Sequence, residues 1–230
     1  MTSSARPAFY ALRPGGWRDY VTLLHPPYTL WHVSYVALGA ALAPRMNWSL
    51  LGWTALAFFL AMGVGAHALD ELHGRPLRTR IPSSALAALA AVSLSAAAAI
   101  GIVVAARSTL WLLAFVAAGV LIVVAYNLEL LGGALHTDLW FAVAWGAFPV
   151  LTAYFAAAER IRGAAVAAAA FALLTSLAQR QLSTNVRRIR RDAEPPPGFD
   201  VLLRSPETAL KLLAAAMPAL AGALLLARVG

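Results

Sequence analysis

Between two long apolar runs the chain carries His67 to Ser83, HALDELHGRPLRTRIPS, which packs two acids, two histidines, three arginines and two prolines into one stretch. On a helix, His67, Asp70 and Glu71 share a face, at i, i+3 and i+4. Two carboxylates beside an imidazole can bind Mg²⁺, with substrate phosphate completing the shell. Arg75, Arg78 and Arg80 can then hold phosphate oxygens. The plainer reading is a solvated turn whose arginines pair with Asp70 and Glu71. A zinc site from His67 and His73 is disfavoured, because a continuing helix turns them to different faces. Gly74 predicts that the helix stops there.

A second cluster, LAQRQLSTNVRRIRRDAEPPPGFD, closes a later apolar run. Helical spacing splits it into two stripes: Arg180, Thr184, Arg187 and Arg191, then Gln181, Asn185, Arg188 and Asp192. Pro195, Pro196 and Pro197 are expected to end the helix. A basic cluster binding anionic lipid heads accounts for the arginines. It does not account for Gln179, Gln181, Ser183, Thr184 and Asn185, uncharged polar groups that reach back into the apolar run and want partners inside a cavity. A third patch, Tyr126-Asn127 with Glu129, His136 and Asp138, closes another run. Glu129 is read there first as an ion-pair partner.

The elements that must position these groups are membrane spans. The chain is 61% hydrophobic and 12% charged, with a mean hydropathy of +0.72. A soluble domain carries about twice that charged share. Apolar segments fall at about 28–44, 48–69, 84–106, 109–127, 138–157, 162–182 and 206–228, each near the roughly 20 residues that cross a bilayer as a helix. Only helices fit, since no run alternates like a barrel strand. The expectation is an all-α integral membrane protein, a bundle of about seven transmembrane helices. Residues 1–27 form a cytoplasmic arm with a short interfacial helix near Trp17, and 28–230 form one transmembrane domain. Its polar loops lie at 67–83 and 179–205. The arm lacks the apolar core of a cleavable signal. The chain has no cysteine, hence no thiolate chemistry.

Arginine and lysine set the orientation. With the amino terminus inside, Arg6, Arg13, Arg18, Arg75, Arg78, Arg80, Arg180, Arg187, Arg188, Arg190, Arg191, Arg204 and Lys211 are cytoplasmic, leaving Arg45, Arg107, Arg160, Arg162 and Arg228 outside. The positive-inside rule favours this assignment, with the cell inner membrane as its place. Both polar loops then share the cytoplasmic face. The net charge of +8 points to anionic lipids or phosphates as partners, not to nucleic acid.

With these features in place, the layout resembles the UbiA superfamily of intramembrane prenyltransferases. Those proteins carry an Asn-Asp-x-x-Asp motif after the second span and another Asp-rich motif after the sixth. Asp70 matches the last Asp of the first motif, and Arg80-Ile81-Pro82-Ser83 is similar to its Arg-Pro-Ile-Pro-Ser tail. Asn185-Val186-Arg187-Arg188-Ile189 resembles Asn-x-Arg-Asp-Ile of the second. Leu24-His25-Pro26, Tyr126-Asn127 and Trp145-Gly146-Ala147-Phe148-Pro149 are similar to further family tracts. The first Asn-Asp pair is Ala66-His67 here, the central Asp of the second motif is Arg188, and the family usually has about nine spans.

The resemblance implies a divergent transferase or cyclase acting on a prenyl diphosphate. In that reading Asp70, Glu71 and His67 bind one Mg²⁺ at most. Arg188 is catalytic with Asp70 and Glu71, replacing a second metal at the leaving diphosphate. Arg75, Arg78, Arg80, Arg187, Arg191, Gln181, Asn185, Tyr126 and Asn127 line the substrate. The shortened bundle implies a homo-oligomer or partner closing the cavity. Two alternatives stand beside it: a non-catalytic binding or transport protein for a polyprenyl phosphate or other anionic lipid, and a structural membrane subunit.

Overall fold

The computed structural model describes residues 6–191 and 198–229. Among them 79% of the chain is helix and no strand occurs. Helix α1 spans Trp17–Leu23, α2 Pro26–Ala41, α3 Trp48–Gly74, α4 Ser83–Arg107, α5 Leu112–Asn127, α6 Asp138–Ala158, α7 Gly163–Arg191 and α8 Phe199–Leu226. Five of these, α3, α4, α6, α7 and α8, are long and apolar enough to cross a membrane, and α5 is a shorter apolar helix. This is the build of a multi-pass α-helical membrane protein.

Local chemistry sets the helix ends. Asn47 caps α3 by accepting from Leu50 N at 3.0 Å, and Thr137 caps α6 by accepting from Trp140 N at 3.2 Å. Pro26 opens α2, where its missing N–H costs nothing. Two apolar clusters lie side by side. One joins Leu23, Val36, Phe58, Met62, Leu86, Val123 and Trp145; the other joins Trp31, Tyr35, Val150, Ala172, Leu210 and Met217. Helix α2 contributes to both and packs against α6 and α8. Its Gly39 lies on the Val150 carbonyl, where a Cβ would clash. Gly146 lets α6 approach α7 in the same way: a Cβ there would sit 2.5 Å from Ala172 O and 2.7 Å from Ser176 Oγ. Such close backbone contact is how helices associate in lipid, where apolar burial supplies no drive. At the far end Arg228 ties α8 to α2, donating from Nε to Ala41 O at 2.7 Å and from Nη2 to Ala43 O.

Two helices are not regular. Residues Phe59–Ala66 of α3 and Val143–Ala147 of α6 are π-helical. Both irregular turns lead to the polar end of the bundle, and π turns recur at functional sites.

Both polar stretches begin as helix, as their spacing predicts. Residues 67–74 are the last turns of α3, and only 75–82 form a loop. Residues 179–191 continue α7, because nothing before Asp192 breaks the helix. Asp192 and the three prolines lie outside the described residues.

Candidate functional site

The loop after α3 is held by charged groups that sequence alone assigns to a ligand. Glu71 is fully buried. Its carboxylate accepts from Leu77 N (2.9 Å), Thr79 N (2.8 Å) and Thr79 Oγ1 (2.9 Å). Such a set gives both oxygens of a buried carboxyl group hydrogen-bond donors. Arg75 takes the left-handed position after the helix, with φ 50°, the place expected of Gly74. Its guanidinium turns back on the loop, donating to Ile81 O at 2.6 Å and Ser83 Oγ at 2.8 Å. Buried Asp19 of α1 closes the structure by accepting from Gly15 N and Arg80 N, each at 2.9 Å. The two carboxylates of the expected metal set thus point to different places. Glu71 faces the loop while Asp70, one residue and 100° away, faces the bundle. Among the described residues no three acids or histidines are placed to share an ion.

Beside this loop lies a polar cavity of about 520 Å³, walled by the N-terminal arm and the adjoining ends of α2, α3, α5, α6 and α7. Of the expected site residues it gathers His67, Asp70, Arg75, Arg78, Tyr126, Asn127 and Arg187. Glu71, Arg80, Gln181, Asn185 and Arg188 do not line it. Arg188 is exposed and, among the described residues, bonds Asn185 Oδ1 at 3.4 Å; Gln181 donates to Asp138 at 2.9 Å. The difference is one of helix phase. Ser183 and Arg187 face the cavity, and Arg188, a residue further on, faces out. The side chain of Arg191 lies outside the described residues.

Every histidine of the chain (the sequence has five) lines this cavity. His32 Nδ1 lies 2.8 Å from Trp145 O and His67 Nδ1 3.1 Å from Gly63 O. Both acceptors belong to the π-helical turns. His136 Nδ1 lies 3.1 Å from Tyr126 O. A carbonyl only accepts, so Nδ1 carries a proton in each; in a neutral ring Nε2 then keeps its lone pair. The rings of His25 and His67 stack at 4.0 Å, and Tyr10 Oη of the arm bonds His25 Nδ1 at 3.0 Å. Burial, then His67 and Arg187 nearby, holds the His25 imidazole well below its ordinary value, in the neutral form. Burial raises the Tyr10 phenol.

Glu129 at the rim has histidines beside it, His73 at 4.0 Å and His136 at 3.8 Å. Arg180 pairs with Asp138 at 2.9 Å and lies over the Phe141 ring. The residues missed from sequence are Tyr10, Tyr28 and His32. A histidine inside an apolar run is itself a signal, since ionisable groups at membrane depth are costly.

No protein-family model, no curated protein and no solved structure matches the chain. The likeness to the UbiA superfamily rests on its sequence motifs, chiefly those at Asp70, Arg80–Ser83 and Asn185–Ile189.

Proposed function

We propose that the chain is a seven-span protein of the cell inner membrane, amino terminus inside, whose cavity binds the phosphorylated head of a lipid. One observation carries this reading. Arg75, Arg78, Arg180 and Arg187 stand around one cavity against two carboxylates, Asp70 and Glu129, at the arginine-rich end of an apolar bundle. Guanidinium groups match phosphate oxygens in geometry and charge. A tail then has the bilayer or the apolar helix faces beside it. Met62 and Trp145 wall both this cavity and a smaller apolar one between α3, α4, α5 and α6.

A second reading is the UbiA-like transferase or cyclase. It is favoured by the meeting of Asp70, Tyr126 and Asn127 in the same cavity, as the resemblance implies. Glu71 and Arg188 face elsewhere, so the expected Mg²⁺ set with its opposing arginine has no support in this arrangement.

The test is equilibrium binding of farnesyl diphosphate to the purified protein in nanodiscs, with Mg²⁺ and with chelator. Binding that survives chelator and weakens in Arg187→Gln supports the lipid-head reading. Binding that needs Mg²⁺, with product formed and lost in Asp70→Asn, favours the transferase. No binding in either condition defeats both.

A further inference from the structure

The arginines explain an anion, but the rest of the wall asks for something an anion lacks. Asp70 lines the cavity, and an ionised carboxylate only accepts. His32 and His67 present Nε2 lone pairs, because backbone carbonyls occupy their Nδ1 protons. Gln179, 3% exposed, has an Oε1 with no partner among the described residues. The wall thus holds four acceptors beside its guanidiniums. A prenyl diphosphate brings almost only acceptors at neutral pH, and inorganic phosphate a single P–OH donor, so either sets oxygens against most of these groups or leaves them unpaired. The volume, about 520 Å³, also leaves room beside a phosphate group.

Resting on the lipid-head reading, we infer that the ligand carries hydroxyl donors next to its phosphate: a polyol phosphate, free or as a phospholipid head. The phosphate lies against Arg78, Arg180 and Arg187, and the hydroxyls donate to Asp70, His32 and His67. A metal ion suits this wall less well, since among the described residues the acidic and histidine groups do not converge on a point and the arginines repel it.

The experiment compares phosphate ligands with and without a hydroxylated glycerol on the phosphate, at pH 8, where ordinary imidazoles are neutral. The soluble pair is glycerol 3-phosphate against inorganic phosphate, followed by calorimetry on the protein in detergent. The lipid pair is phosphatidylglycerol against phosphatidic acid, followed by native mass spectrometry from mixed nanodiscs. The hydroxylated member of at least one pair is expected to bind about tenfold or more tightly, as at sites built to receive a hydroxyl; which pair does so tells the free ligand from the lipid head. In Asp70→Asn, which turns an acceptor into a donor, the preference is expected to shrink while binding of the plain phosphate holds or improves. Equal binding within both pairs overturns the inference and leaves the lipid-head reading standing. No binding by any member, with farnesyl diphosphate also unbound, overturns both.

Discussion

At the scale of single residues, neighbouring charges do different work according to which way a helix turns them. Asp70 and Glu71 are adjacent, yet one lines the cavity and the other builds the loop. Replacing Glu71 by Gln places an amide NH₂ against donors. It is expected to cost about 1–3 kcal/mol of stability, as an unpaired buried group does, seen as a lower melting temperature in detergent with ligand affinity little changed at low temperature. Arg187→Gln is expected to do the reverse: normal stability, and anionic-ligand affinity reduced about ten- to a hundredfold, the range of a charge-assisted hydrogen bond. Arg188→Gln is expected to leave affinity within about twofold, since an exposed charge contributes little. His25 adds a pH dependence. The fold favours its neutral form, so the stability it confers is complete above pH 6.5, the ordinary histidine value. That stability is lost as pH falls below 6.5, by at most about 1.4 kcal/mol per pH unit. Melting curves at pH 7.5 and 5.5 should diverge more for the native chain than for His25→Gln.

At the scale of elements, helix positions were legible because each apolar run has the length that lipid demands. All seven expected segments coincide with helices. Phase was less legible. Two regular stripes could be drawn on the end of α7, and nothing in the residue types says that Ser183 and Arg187, not Asn185 and Arg188, meet the bundle. That depends on packing, set by contacts such as Gly146 on Ala172. The burial of Glu71 was illegible for a related reason: two of its three partners are backbone N–H groups of the 77–79 loop, which every sequence has, and the third is the Thr79 hydroxyl. The cavity's histidines were half legible. His67 stood out in a polar stretch, whereas His32 lay unremarked among apolar neighbours. Gly146→Val is the test of this packing. It is expected to cost about 1–3 kcal/mol by forcing α6 from α7, and to weaken ligand binding with it, because His32 takes its bond from the next-door Trp145 carbonyl.

At the scale of the whole molecule, the cavity draws on five helices and the arm, all at the end where most of the eighteen arginines and lysines cluster. Orientation can be measured directly, since the native chain contains no cysteine to confuse labelling. Ser205→Cys, near the start of α8, should react with an impermeant maleimide only from the cytoplasmic side. Ser108→Cys, after α4, should react only from the opposite side. Both residues are exposed. Labelling of the two from one side would overturn the seven-span reading.

The π-helical turn at Val143–Ala147 bears on how such a cavity arises. A turn bonded i to i+5 stores one more residue than a turn bonded i to i+4. Removing a single residue there lets α6 close up as a plain α-helix, with the segments on either side keeping their faces. The expected product of that one-codon deletion is a folded bundle that has lost the Trp145 carbonyl's hold on His32. The difference between a helix that only spans and one that also shapes a binding wall is, at this point in the chain, a matter of length by one residue.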